Sequence, residues 1–188
     1  KLQTIEIYSS IFEEITSDTA TINIGIDRIT TISNCNFYKC SSTKGSILSL
    51  SGAQNKISSI CVANCSSNKD SVTIQLGESI IMSFATFLSS NNILTSQTSQ
   101  IALRGVNSTN CRANDNKNLV TLTKLVRLKM TDVISDLNNF AVNYYFVEIS
   151  SSFVRNVNMV KSQGVHSRLV ELIKGTLVLT DCHIINTV

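Results

Sequence analysis

One short segment of this chain comes round again. Cys35-Asn36-Phe37-Tyr38-Lys39-Cys40 is followed by Ser41-Ser42 and then by Ile47-Leu48-Ser49-Leu50. Further along come Ile60-Cys61-Val62-Ala63-Asn64-Cys65, then Ser66-Ser67, then Val72-Thr73-Ile74-Gln75-Leu76. The shared unit is an apolar residue, two spacers, a second apolar residue and a small polar turn. Pairs of this form run through the chain as Phe12/Ile15, Phe37/Cys40, Val62/Cys65, Phe84/Phe87, Ser108/Cys111, Ile134/Leu137, Val157/Val160 and Cys182/Ile185. By subtraction, successive first members lie 25, 25, 22, 24, 26, 23 and 25 residues apart. A period this steady predicts a repeat architecture.

Within each unit the pattern is that of strands. Thr4-Ile5-Glu6-Ile7 alternates polar and apolar, and Thr21-Ile22-Asn23-Ile24 does the same after a polar turn. Val165 to Lys174 is the best candidate for a helix, but its β-branched residues and its place in the repeat favour a strand. In the sixth unit Lys129 falls where an apolar residue is expected, which predicts a register slip of one residue. Short strands repeating every 22–26 residues can satisfy their backbones by pairing each strand with its counterpart one turn on. A β-sandwich is the rival, but its hairpins favour Asn-Gly or Asp-Gly turns, and this sequence has neither.

The expectation is therefore an all-β, parallel β-helix of about eight turns. Residues 1–188 form a single segment of it. Both ends read as cuts, so a slice of a longer chain is expected. The core ladder is Phe12, Phe37, Val62, Phe84, Ile134 and Val157, with Phe37 and Phe84 inside the coil. These residues resemble the right-handed parallel β-helix of the pectate-lyase-like superfamily. They are also similar to the Cys-x-Phe-x-x-Cys repeats of large secreted and surface β-helix proteins. The periodic likeness spans the chain; the full motif occurs at residues 35–40, with a near match at 60–65.

Composition narrows the functional classes. The chain is 43% apolar and 15% charged, without Pro or Trp, and rich in Ser, Thr and Asn. That suits a long surface of strands and turns better than a cytosolic enzyme. A net charge of +3, evenly spread, gives no footprint for nucleic acid or an anionic membrane. No apolar run approaches the roughly 20 residues of a membrane span.

The resemblance implies where chemistry would lie. Polysaccharide lyases and hydrolases of that superfamily use clustered carboxylates, with Ca²⁺ or as acid and base. Here Glu148 and Glu171, 23 residues apart, could stack on neighbouring turns, but both sit between apolar residues and should point outward. Asp132 and Asp136 fall in one irregular turn, where a turn cap is the better reading. His166 and His183 are out of step with the period, and neither has a ligand at metal spacing. Arg104 and Arg127 could form a small basic stripe. Neither a catalytic residue nor a metal or other cofactor is expected, and no Ca²⁺-dependent lyase activity.

The six cysteines allow two readings. Cys40 and Cys65 should stack in one interior column, with Cys111 further along, and Cys35 with Cys61 is the next pairing. An even count in a chain of secreted character fits disulfides. Stacked parallel side chains, however, keep their Cβ atoms about 4.8 Å apart, against the roughly 3.8 Å a disulfide prefers, which fits small buried thiols. Cys182 has no evident partner. Asn64-Cys65-Ser66 and Asn107-Ser108-Thr109 are N-glycosylation sequons beside predicted turns.

The functional expectation is a structural or interaction segment: a rigid extracellular or cell-surface rod, filament subunit or adhesin shaft. Its partners would be more of the same chain or another copy, end to end, with glycans at Asn64 and Asn107. Two alternatives come from other classes. One is a polysaccharide-acting enzyme whose active turns lie outside these residues. The other is a carbohydrate-binding module that uses Tyr144 and Tyr145 as a stacking platform.

Overall fold

The computed structural model describes residues 3–25, 28–67, 72–75, 78–90, 94–112, 118–136, 138–160 and 163–185. They form a parallel β-solenoid, all β, with no helix among them. Three faces wrap one core. The first begins with Gln3–Tyr8, Arg28–Ser33, Gln54–Ser58, Ser79–Ser83 and Gln100–Arg104. The second begins with Ile11–Glu13, Asn36–Tyr38, Cys61–Ala63, Thr86–Leu88 and Asn107–Thr109. Both faces then run into the long strand Arg127–Asp136, which pairs with the first face along its start and the second along its end. The third face stacks seven strands, from Ala20–Ile24 to Gln163–Leu172.

The coil has about six turns, not eight. Six turns share the continuous path of the largest sheet. Beyond it Ser151–Val160 adds to both faces, and the stack thins to Leu179–Thr180 and His183–Ile185.

The corners explain the repeat. Left-handed backbone recurs in pairs five residues apart: Ser9 and Glu14, Asn34 and Lys39, Ser59 and Asn64, Phe84 and Ser89, Gly105 and Asn110. Simple alternation from Cys35 would put residues 35, 37 and 39 inside. Lys39 instead takes a left-handed φ of 51°, stays exposed and turns the chain, so Cys40 is the next residue to point in. The two spacers before the second cysteine are thus one outward residue and one corner. Each corner is tied to the next turn by its backbone, as in Asn34 N–H to Ser58 O (3.1 Å) and Lys39 N–H to Ala63 O (3.1 Å).

Like residues then stack on like. On the second face the inward column is Phe12, Phe37, Val62, Phe87, Ser108, Ser135 and Met159. The rings of Phe12 and Phe37 lie parallel with centroids 4.8 Å apart, the spacing of adjacent strands. The first face contributes Ile7, Ile32, Ile57, Met82, Leu103, Met130 and Val154. The third contributes Ile22, Leu48, Val72, Leu94, Val120 and Tyr144.

Three members of the expected ladder stand elsewhere. Phe84 is 60% exposed on a corner, and Phe87 takes the interior place. Ile134 is 41% exposed and faces out opposite Asn107, while the buried Ser135 lies in the column. Val157 is buried, but its column is that of Val133 and Cys35, and Met159 is the ladder residue. Nor does the register slip at Lys129. It faces outward beside Ala102, with Leu128 and Met130 inside on either hand.

Candidate functional site

The outer surface of the first face carries a groove of about 770 Å³ across the fourth to eighth units. Its origin is one turn whose outward residues are short. One outward column reads Glu6, Thr31, Lys56, Ile81, Ala102, Lys129 and Phe153. Ala102 is the shortest of these, and the corner at the end of its strand is Gly105. The fifth unit is therefore a trough. Ile81 and Phe84 wall it on one side, and Lys129 and Phe153 on the other. A second hollow of about 450 Å³ adjoins it over Ala102 and reaches Arg127.

Phe84 is the outlier of this site. Equivalent corners hold Ser9, Asn34, Ser59, Gly105, Asp132, Asn156 and Asp181, all small or able to bond their own backbone. A bulky aromatic at φ 54° is strained there. The missing side chain of Gly105 makes room for the ring: a Cβ on Gly105 would lie 3.0 Å from Phe84 Cδ1. The Arg104 guanidinium lies 5.9 Å from the ring centroid, within cation–π range.

The charges around the groove are unevenly paired. Arg155 Nε donates to Asp181 Oδ2 at 3.2 Å, and Asn156 Nδ2 donates to Asp132 Oδ1 at 2.8 Å. Asp181 is thus ion-paired, while Asp132 is held by the neutral amide of the next corner. Among the described residues no ion pair engages Arg104, Arg127 or Lys129. Arg104 and Arg127 do not form the expected stripe: Arg127 opposes Gln100 at one end of the strand, and Arg104 opposes Thr131 at the other.

The remaining expected sites are dispersed. Glu171 opposes Tyr145, while Glu148 sits three residues past that partner, on a left-handed corner 3.8 Å from Lys174 Nζ. The two carboxylates do not stack. Asp132 is a corner residue, and Asp136 lies on the second face opposite Thr109. His183 is exposed, and the side chain of His166 lies outside the described residues. Among the described residues no three of His, Cys, Asp and Glu gather as a metal site. Tyr144 is buried on the third face, and burial pushes its hydroxyl pKa up, so it offers no stacking platform. The side chain of Tyr145 lies outside the described residues.

All six cysteines are free thiols. Cys35 points inward and Cys61 outward, opposite Asn36, so the two do not share a column. Cys40, Cys65 and Cys111 do share one, which reads Cys40, Cys65, Ser90, Cys111 and Asn138. Every member donates to a carbonyl of the preceding turn. Cys40 reaches Phe12 O at 3.3 Å, Cys65 reaches Phe37 O at 3.5 Å, and Ser90 reaches Val62 O at 3.2 Å. Cys111 reaches Phe87 O at 3.6 Å, and Asn138 reaches Ser108 O at 3.3 Å. Ser90 and Asn138 also accept, from Cys65 N–H (3.3 Å) and Cys111 N–H (2.8 Å). The column selects a small hydrogen-bonding group. Burial pushes the Cys65 thiol up to about 12 and the Cys111 thiol up to about 11, so both keep the proton they donate.

Asn64 is an exposed corner residue with φ 53°. Asn107 is half-buried at the start of the strand Asn107–Thr109. No family model matches the sequence, and no curated protein is significantly similar to it.

Sequence reasoning passed over Ala102 and Phe153 and placed Phe84 inside. The signal was there: Phe84 lies 25 residues after Ser59, in a column of serines and asparagines.

Proposed function

We propose that this chain is a rigid structural and interaction segment of an extracellular or cell-surface protein, a shaft whose first face carries a binding surface. The observation that supports the reading is the parallel register on all three faces. Each turn bonds to the next, so added turns extend the rod without altering its section. Under this reading the chain is a relative of the secreted Cys-x-Phe-x-x-Cys β-helix proteins and, more distantly, of the right-handed pectate-lyase-like coils. Asn64 is the better glycan acceptor of the two sequons because its side chain stands on an exposed corner. Partly covered apolar residues, Ile5, Ile7 and Phe12 at one end of the stack and Leu177 and Cys182 at the other, are where another copy or further turns would dock.

The test has two arms. Antibodies to these residues should label intact cells that carry the protein. Purified protein should release neither reducing ends nor unsaturated ends from a panel of acidic and neutral polysaccharides. Labelling only after permeabilisation, or depolymerisation of any polysaccharide, would overturn the proposal.

A further inference from the structure

We infer that the trough over Ala102 is a docking site for an extended acidic peptide of a partner protein, anchored by an apolar side chain against Phe84 and Phe153. The inference rests on reading the segment as an interaction-bearing shaft. Cell labelling tests that reading and peptide binding tests this one, so either can fail alone.

Three observations carry it. The first is the strain at Phe84. A bulky ring on a left-handed corner, where other turns place Ser, Asn, Asp or Gly, is a local cost that burial does not offset, since the residue is 60% exposed. Its conformation is supported from below by Gly105 and from the side by Arg104. The residue is arranged to present an aromatic face, not to fill a core.

The second is shape. The groove over Ala102–Arg104 and the adjoining hollow over Gln100–Ala102 together cover the strand Gln100–Arg104 from end to end, so a chain in extended conformation fits along it. Five or six extended residues span about 17–20 Å, which matches a strand of that length. The backbone beneath is committed to the neighbouring turns on both sides. Recognition must then come from side chains, not from strand addition.

The third is charge. Arg104, Arg127 and Lys129 flank an apolar floor, and no ion pair engages them among the described residues; of the two nearby carboxylates Asp181 is paired with Arg155, and Asp132, held by the neutral Asn156 amide, leaves the cations in excess. Apolar walls flanked by cations complement a peptide that alternates carboxylates with a Phe or Leu. Ile81 and Phe153, both exposed, supply contacts for an alkyl or aryl side chain.

The experiment is fluorescence anisotropy with the 188-residue chain and a labelled Asp-Phe-Asp-Leu-Asp peptide. An Asn-Phe-Asn-Leu-Asn peptide and an oligogalacturonate serve as comparison probes. The acidic peptide should bind, and should weaken about tenfold or more on changing Asp to Asn, on Lys129→Glu and on Phe84→Ser. Added salt should weaken it further. Ser occupies the equivalent corner at Ser9 and Ser59, so Phe84→Ser keeps the fold, and an unchanged or higher Tm verifies this. Lys44→Glu, at an exposed turn outside the groove lining, should leave binding alone. Absence of peptide binding, equal binding of the neutral peptide, or binding of the oligogalacturonate in its place would overturn the inference. So would self-association of the chain that disappears on Phe84→Ser.

Discussion

At Phe37 an alanine leaves a hole; at Phe84 a serine takes the place of a strained aromatic. Phe37 is 1% exposed and stacked on Phe12, so Phe37→Ala should destabilise by about 3–5 kcal/mol. Phe84→Ser replaces a strained aromatic by a residue that corners accept, and should be neutral or stabilising by up to about 1 kcal/mol. Urea denaturation midpoints of the two variants should therefore move in opposite directions, or the second not at all. The buried thiols give a second test. Cys65 and Cys111 are held above the ordinary thiol value of 9.0, so the unfolded chain loses those protons first. Their contribution to stability is complete below about pH 9 and is lost as pH rises towards about 11–12. Replacing both by Ser, which already fills the column at Ser90, should flatten the loss of stability over that range. In the native state both thiols should resist alkylation at neutral pH until the chain is unfolded.

At the scale of the element, the corner from the second to the third face is as specific as the strands. Thr16–Ser17, Ser41–Ser42 and Ser66–Ser67 make a small sheet of their own. Ser42 Oγ donates to Thr19 O at 2.9 Å and accepts from Gly45 N–H at 3.1 Å. A Cβ on Gly45 would fall on the Thr19 carbonyl oxygen, so the two turns can close only over a glycine. Gly45→Ala must push backbone apart and should lower stability by about 1–3 kcal/mol or more, read as a fall in Tm. Strands, period and interior character were legible in the sequence because apolar alternation reports burial directly. The corners were not. A left-handed residue shifts the alternation by one, and a Lys or Ser does not announce a positive φ; only the recurring Asn and Asp of the corners hint at it. That is why Phe84/Phe87 looked like Phe37/Cys40: two rings three apart imitate the motif, while the true partners were Phe87 and Ser90. The same slip hid the groove, because an interior Phe84 leaves no reason to look at Ala102 and Gly105.

For the whole molecule, the left-handed corners have a consequence for length. Asn34 and Ser59 occupy the same place on successive turns, and so do Cys35 and Ile60. Excising residues 35–59 and joining Asn34 to Ile60 should therefore give a shorter folded coil. Ile11–Glu13 would then meet Cys61–Ala63, and Arg28–Ser33 would meet Ser79–Ser83, each in register. Removing one residue fewer would leave a surplus residue at the junction and turn the side chains after it to the wrong face until the next corner. Circular dichroism and a cooperative melt should separate the two deletions: a β spectrum with a defined transition for the first, and none for the second. The chain can be edited only in whole units, like a thread cut to the pitch of its screw.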